Sequence, residues 1–235
     1  MRIYSIVCGM LDDFFTKAAA NSPHEIKIDM IDKKLHTEPE KLKREIQLRL
    51  DALKPEWDFV VLGFGLCGGA LNGIKSGKHT LIIPRCHDCI SLFLGSKELY
   101  SDIVKKYQNR CYWFTPSFYK QKFLLIKKFR QERIEEYKEQ YDEETSQYLI
   151  DVELGPLFKY THLNLIDDLE NPDNTLCQEA YILAEEFNWQ VNKFNIGDSL
   201  FNAMYRGDFN ENDFLTVIPN KTVMQSMDMN KIIEA

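Results

Sequence analysis

The run Phe59-Val-Val-Leu-Gly-Phe-Gly-Leu-Cys-Gly-Gly69 decides the fold class of this chain. Its first part is an unbroken apolar segment, typical of a strand that is buried on both faces of a parallel sheet, and a glycine-rich turn follows. Residues 2–7 have a similar form and lead into Cys8. Residues 80–84 form another apolar segment of this kind, and Cys89 follows it. Helical stretches separate these strands, so the order predicts an α/β fold: a mostly parallel, Rossmann-like sheet or sheets flanked by helices.

The apolar periodicity predicts the remaining elements. We expect strands at residues 2–8, 26–30, 59–62, 80–83, 112–115, 162–166, 190–196 and 214–218. We expect helices at residues 12–21, 39–50, 91–107, 176–187 and 199–205. Residues 119–147 form a highly charged helical stretch, which is either a solvated face laid over the core or a docking surface for a partner.

Three regions follow from this order of elements. Residues 1–118 form an N-terminal α/β half with the candidate site, residues 119–147 a charged connecting helix, and residues 148–235 a C-terminal α/β half. The C-terminal half is either a separate lobe or the other half of one sheet. No low-complexity linker divides the chain, so we expect the halves to pack tightly.

Composition excludes several classes of function. The 235 residues carry a net charge of −7, which argues against nucleic acid as a partner because phosphate binding needs a basic face. No apolar run approaches the roughly 20 residues that span a bilayer, and the first residues enter a strand without the layout of a signal peptide. We therefore expect a cytoplasmic protein whose six cysteines are reduced, and hence buried, metal-bound or catalytic.

Cys8, Cys67 and Cys89 each follow one of the buried strands. Because ligand sites in open α/β sheets form at the carboxyl ends of the strands, we expect these thiols to meet there, with His87 beside them. Zinc accepts thiolate and imidazole ligands, and three cysteines also suit a 4Fe–4S cluster with one iron that lacks a cysteine. The sequence predicts a metal site with these three cysteines as ligands. His87 is a fourth ligand, a group that orients a ligand, or a catalytic acid or base.

The glycine-rich turn and Arg85 predict binding of a further group. Gly65 and Gly68 allow close approach of the backbone to a ligand, and Arg85 either clamps a carboxylate or phosphate or pairs with Asp88. We assign Gly65, Gly68 and Arg85 to cofactor binding, and His87 and Arg85 to catalysis. A nucleotide site is the alternative, although no acidic ribose ligand follows the glycines at the expected distance.

The segment Arg85-Cys-His-Asp-Cys89 also contains a C-x-x-C motif. In a thioredoxin-like fold such a motif is redox-active, but metal ligation is the better interpretation here. In the second half, Asp167, Asp168 and residues 198–199 lie at predicted strand ends. They are helix caps or face the same cleft, and capping is the favoured interpretation.

Several motifs resemble those of a known family. They are Cys8-Gly9, Leu35-His36 followed by Pro39-Glu-Lys-Leu42, Gly63–Gly68, Ile83–Ile90, Phe93-Leu-Gly-Ser96 and Tyr100, with a looser match at Gly197-Asp-Ser199. In these positions the chain resembles the uncharacterised prokaryotic family catalogued as domain of unknown function 1638. The chain departs from the family pattern at Cys86, where we expect a small residue, and at residues 12–15.

The resemblance implies that Cys8, Cys67, His87 and Cys89 are the family's characteristic polar positions, and it draws attention to His36. It also implies an association with corrinoid-dependent methyl transfer and one-carbon metabolism, with a small molecule or a corrinoid protein as partner. Two classes of function follow. The protein is an enzyme of methyl transfer, redox or sulfur transfer, or it is a non-catalytic module in which a metal pins three loops and the charged helix docks a methyltransferase.

Overall fold

The computed structural model describes residues 1–120, 126–226 and 232–235, and for residues 36, 37, 67 and 126–130 it describes the backbone alone. The strands are β1 Arg2–Cys8, β2 Glu25–Ile31, β3 Phe59–Gly63, β4 Leu81–Pro84, β5 Cys111–Phe114, β6 His162–Asp167, β7 Gln190–Asn195, β8 Phe214–Val217, β9 Met224–Gln225 and β10 Ile233–Glu234. The helices are α1 Asp12–Ala20, α2 Pro39–Ala52, α3 Cys89–Leu94, α4 Lys97–Lys106, α5 Pro116–Lys120, α6 Ile126–Lys138, α7 Glu143–Leu154, α8 Asn174–Glu186 and α9 Ser199–Arg206. Short 3-10 segments occur at Gly9–Leu11, Lys33–Thr37, Cys67–Gly69 and Gly155–Lys159.

The predicted α/β fold is confirmed, with a mostly parallel sheet flanked by helices. Each predicted strand is present, and its ends differ from the prediction by at most one residue. The helix predicted over residues 91–107 is wrong as a single element, because α3 ends at Leu94 and α4 begins at Lys97. Gly95 lies between them in the left-handed conformation (φ 68°), which closes α3 and prevents its continuation.

The chain forms two compact units, one of residues 1–100 with 197–235 and one of residues 101–196. Both ends of the chain therefore belong to the first unit. The division into residues 1–118, 119–147 and 148–235 stays a prediction of sequence organisation. The prediction of a single charged helix over residues 119–147 is wrong, because α6 ends at Lys138 and α7 begins at Glu143, and residues 121–125 lie outside the described residues.

The first unit contains a five-stranded sheet in the order β2-β1-β3-β4-β8. The first four strands are parallel, and β8 pairs with β4 in the antiparallel direction, with Leu81 opposite Val217. Strands β1, β3 and β4 are almost wholly buried, as their unbroken apolar sequences require. Helix α2 buries Leu42, Ile46 and Leu50, the stripe that its 3–4 residue period predicts.

The second unit is built on the parallel sheet β5-β6-β7. Its core joins Phe114, Leu163 and Leu165 of the sheet to Leu176 and Ala180 of α8. This packing gives residues 101–196 a hydrophobic core of their own. Within the described residues, no helix is both long and apolar enough to cross a membrane.

Candidate metal centre

The strand order places the three cysteine-bearing segments side by side. Cys8 is the last residue of β1, Cys67 follows the end of β3 by four residues, and Cys89 follows the end of β4 by five. Since β1 pairs with β3 and β3 with β4, all in parallel, the three segments leave the sheet at one carboxyl edge. The side chain of Cys67 lies outside the described residues, so the meeting of the three sulfurs stays a prediction.

Among the side chains that the structure describes, no three His, Cys, Asp or Glu residues form a group that could hold a metal. The thiol of Cys67 and the imidazole of His36 lie outside the described side chains.

The loops that carry Cys67 and Cys89 are joined backbone to backbone. The amide of Leu66 donates to the carbonyl oxygens of Cys86 and His87, both at 3.1 Å. Beside it, a Cβ at position 65 would lie 2.6 Å from the Cα of Asp88, so only glycine allows this contact. Gly65 packs on the neighbouring loop, and its predicted assignment to cofactor binding stays a prediction.

Other glycines at this edge serve the same close packing. A Cβ at Gly63 would lie 2.3 Å from the ring of Phe15 on α1, and a Cβ at Gly9 would lie 2.8 Å from the carbonyl oxygen of Ile31. Gly68 has a positive φ of 67°, and a Cβ there would lie 2.9 Å from the Cγ of Pro39 at the start of α2. The start of α2, which follows His36, is therefore next to the glycine turn.

Asp88 begins helix α3 and holds it to α4. Its Oδ1 accepts the backbone N–H of Ile90 at 3.0 Å, and its Oδ2 accepts the hydroxyl of Tyr100 at 2.6 Å. Burial raises the pKa of the Asp88 carboxyl, while the hydrogen bond from Tyr100 and the nearby His87 act in the opposite direction. Burial, followed by the charge of Asp88, raises the pKa of the Tyr100 hydroxyl.

The described thiols at this edge are buried. Cys8 and Cys89 each expose 6% of their surface, and Cys86 exposes 2%. Burial raises the pKa of the Cys8 thiol, because it disfavours the charged thiolate. Burial also raises the pKa of Cys86, and the charges of Asp88 and Asp213 add to the effect. Cys86 therefore has the surroundings of a core residue and not of a reactive thiol.

Arg85 and His87 have different surroundings. The guanidinium of Arg85 donates through Nε to the carbonyl oxygen of Glu211 at 2.9 Å and through Nη1 to that of Ile233. These bonds tie the site loop to the C-terminal segment, and burial lowers the pKa of Arg85. His87 is half-buried and lies two residues before the buried Cys89. Roles for Arg85 in anion binding and for both residues in catalysis stay predictions.

The profile of one protein family, described as "Protein of unknown function (DUF1638)", matches residues 30–205. The chain belongs to this family. The matched region of the DUF1638 protein contains Cys67, His87 and Cys89, and Cys8 lies before it. Neither the curated proteins nor the solved structures gave a match.

Two segments quoted for the DUF1638 resemblance contact each other. The amide of Gly197 donates to the carbonyl of Phe93 at 2.7 Å, and the hydroxyl of Ser199 donates to the carbonyl of Gly95 at 2.9 Å. The motif at residues 197–199 thus closes the end of α3. Sequence patterns gave no sign of this contact, because it joins residues about a hundred positions apart.

The second-half carboxylates of the DUF1638 protein bond to their own loop. Asp167 accepts the N–H groups of Asp168 and Asp173, both at 2.9 Å, and Asp168 accepts those of Glu170 and Asn171. The prediction that Asp167 and Asp168 are helix caps is wrong, because Asp173 caps helix α8 and the two earlier carboxylates hold the loop that leads to it. The pairing of Asp88 with Tyr100 was not foreseen from sequence, although Tyr100 stood among the family motifs.

Proposed function

We propose that this protein is a cytoplasmic metal-dependent protein that binds zinc or a 4Fe–4S cluster through Cys8, Cys67 and Cys89. His87 is either a further ligand or the group that orients one. The observation that carries the proposal is the adjacency of β1, β3 and β4, which brings all three cysteine segments to one edge. Support also comes from the bonds of the Leu66 amide, which fix the Cys67 loop to the Cys89 loop.

The described donors suit a soft metal. Thiolates prefer zinc, copper(I) and iron–sulfur clusters over magnesium or calcium, and the Cys8 and Cys89 thiols lie away from bulk water. Since burial raises the pKa of Cys8, the metal would displace a proton from it, and binding would strengthen as the pH rises. Gly65 lets the loop that carries Cys67 lie directly against Asp88 in the loop that carries Cys89.

The reaction that we favour is methyl transfer in one-carbon metabolism, linked to a corrinoid protein. A bound zinc would supply Lewis acidity to activate a substrate thiol, and a bound cluster would instead supply redox or sulfur-transfer chemistry. In either case we assign His87 to catalysis or to orienting a ligand, since it is half-buried while Cys89 is buried. The context for methyl transfer comes from the resemblance of the sequence motifs, because the matched family itself is described as one of unknown function.

A non-catalytic role is the second candidate. Arg85 bonds to backbone carbonyls, and the glycines bring loops together, so much of the edge serves to fix the backbone. A metal held by four protein ligands would complete such an arrangement and leave no position for a substrate. The protein would then act as an accessory module of a methyltransferase.

Metal and sulfide analysis of protein purified without oxygen tests the proposal. Iron with acid-labile sulfide and a brown colour would support the cluster, and about one zinc per chain would support the zinc site. Protein that holds neither, and takes up neither on reconstitution, would overturn the proposal. A cobalt(II) spectrum that shifts on addition of a small thiol would favour the enzyme, because a site with four protein ligands has no open position.

A further inference from the structure

We propose that Asp88 and Tyr100 are positioning residues that hold Cys89 in the orientation in which its sulfur binds the metal. The inference rests on the proposed function, and it assigns a role within that site to two residues that are not metal ligands. Tyr100 lies on α4, and Asp88 precedes α3.

The two carboxylate oxygens of Asp88 have separate partners. Oδ1 caps α3 by accepting the N–H of Ile90 at 3.0 Å. Oδ2 accepts the hydroxyl of Tyr100 at 2.6 Å. Cys89 is the residue between the cap and Ile90, so the capping turn fixes the direction in which its Cα–Cβ bond leaves the backbone.

The backbone of Asp88 also packs against the glycine turn. Gly65 packs on its Cα, and the Leu66 amide bonds the carbonyl of the preceding His87. A movement of Asp88 would therefore change the position of Cys89 relative to the loop that carries Cys67. Zinc–sulfur bonds are about 2.3 Å long and tolerate little variation, so such a movement would weaken a shared site.

The hydrogen bond between Tyr100 and Asp88 can be removed by a substitution that changes only one hydroxyl group. Tyr100→Phe keeps the ring and its packing but leaves Oδ2 of Asp88 without this donor in a largely buried place. Asp88→Asn keeps both bonds, because its amide oxygen can accept from Ile90 and its amide nitrogen can donate to the oxygen of Tyr100. Asp88→Ala removes both bonds.

Tyr4 provides a matched control. Its hydroxyl donates to Asp29 at 2.9 Å, between β1 and β2 of the same unit. Tyr4→Phe therefore removes a tyrosine–aspartate hydrogen bond of the same kind at a position four residues before Cys8, without touching α3. It should lower stability without affecting the orientation of Cys89.

The experiment titrates the full-length variants with cobalt(II), whose thiolate absorption bands report both affinity and ligand geometry. We expect Tyr100→Phe and Asp88→Ala to weaken cobalt binding by about 10- to 100-fold and to alter the bands, the size of effect seen when partners outside the ligand set are removed. Asp88→Asn should bind nearly as well as the wild type, and Tyr4→Phe should match it. Circular dichroism confirms that each variant is folded.

Other outcomes would overturn the inference. Wild-type affinity and spectrum in both Tyr100→Phe and Asp88→Ala would show that the pair does not position Cys89. An equal loss in Tyr4→Phe would assign the effect to general stability, and a loss in Asp88→Asn as large as in Asp88→Ala would assign it to charge. If the wild-type protein binds neither cobalt nor a reconstituted cluster, the proposed function itself fails, and the inference fails with it.

Discussion

Gly65 and Asp88 touch backbone to backbone, so closely that a Cβ at position 65 would lie 2.6 Å from both the Cα and the carbonyl carbon of Asp88. Carbon atoms that are not bonded to each other do not approach so closely, and the obstacle is main chain rather than a side chain that could rotate away. Gly65 is thus required by the contact between two loops, since its φ is not in the left-handed region. This contact therefore sets the distance between the loop that carries Cys67 and the loop that carries Cys89.

Gly65→Ala should therefore destabilise the protein. Forcing a methyl group into a packed site typically costs about 1–3 kcal/mol, and we expect the upper part of that range because backbone must move. The free energy of unfolding in urea measures the effect. Gly155→Ala is the control, because a Cβ there would meet nothing within 4 Å. Equal stability of Gly65→Ala and the wild type would show that the two loops can separate without cost.

Arg85→Lys should loosen the C-terminal segment. Lysine cannot reproduce the planar guanidinium that donates to the carbonyls of Glu211 and Ile233. We expect faster hydrogen exchange in β9 and β10, where Ile233 pairs with Gln225. Arg44→Lys, on the exposed face of α2, is the control. Unchanged exchange in Arg85→Lys, together with weaker binding of inorganic phosphate, would favour the predicted anion clamp over the structural role.

Stability should fall at alkaline pH as buried tyrosines ionise. Burial, with the hydrogen bond to Asp29, raises the pKa of Tyr4 from 10.0 to about 12. The folded protein thus holds this proton more tightly than the unfolded chain does. The stability that Tyr4 contributes is complete below pH 10 and is lost as the pH rises towards about 12. Unfolding in urea across this range should show a smaller decline for Tyr4→Phe than for the wild type.

A steady or rising free energy of unfolding between pH 10 and about 12 would contradict this prediction for Tyr4. Burial also raises the pKa values of Tyr112 and Tyr205, so some decline should persist in the Tyr4→Phe variant. Ultraviolet titration of the native and unfolded protein would show the delayed ionisation directly.

The thiols should differ in their rates of alkylation. Cys177 is only partly buried, whereas Cys86 exposes 2% of its surface and burial raises its thiol pKa. We expect iodoacetamide to modify Cys177 well before Cys86 at neutral pH, because only an accessible thiolate reacts. Mass spectrometry of the peptides identifies the modified residue, and the unfolded protein provides the reference rates. Modification of Cys86 as fast as Cys177 would contradict its placement in the core.

The sequence predicted the strands well because each is a short apolar run with a clear end. Val60 and Val61 are fully buried within β3, as an unbroken run of this kind requires. The break at Gly95 was missed because an isolated glycine is tolerated within helices. The left-handed φ of Gly95 and its contact with Gly197 and Ser199 show in the structure that the chain turns there.

Contacts between distant residues were beyond the reach of sequence patterns. The apolar run of β8 was recognised, but its antiparallel pairing with β4 in the first sheet depends on the return of the chain at Gly197. Similarly, Arg85 is a residue type that often binds anions. In the structure its guanidinium donates to the main-chain carbonyls of Glu211 and Ile233, more than a hundred residues away in the sequence. Every residue has a backbone carbonyl, so the pattern of side chains in the sequence cannot indicate which carbonyls accept these hydrogen bonds.

The central claim is that Cys8, Cys67 and Cys89 share one metal. The most direct test is the metal content per chain, with acid-labile sulfide, of the wild type and of single serine variants purified without oxygen. We predict a sharp loss of the same metal in Cys8→Ser, Cys67→Ser and Cys89→Ser, and wild-type content in Cys111→Ser and Cys177→Ser, whose thiols lie in the second unit. Unchanged metal content in all three of the first variants would contradict the account.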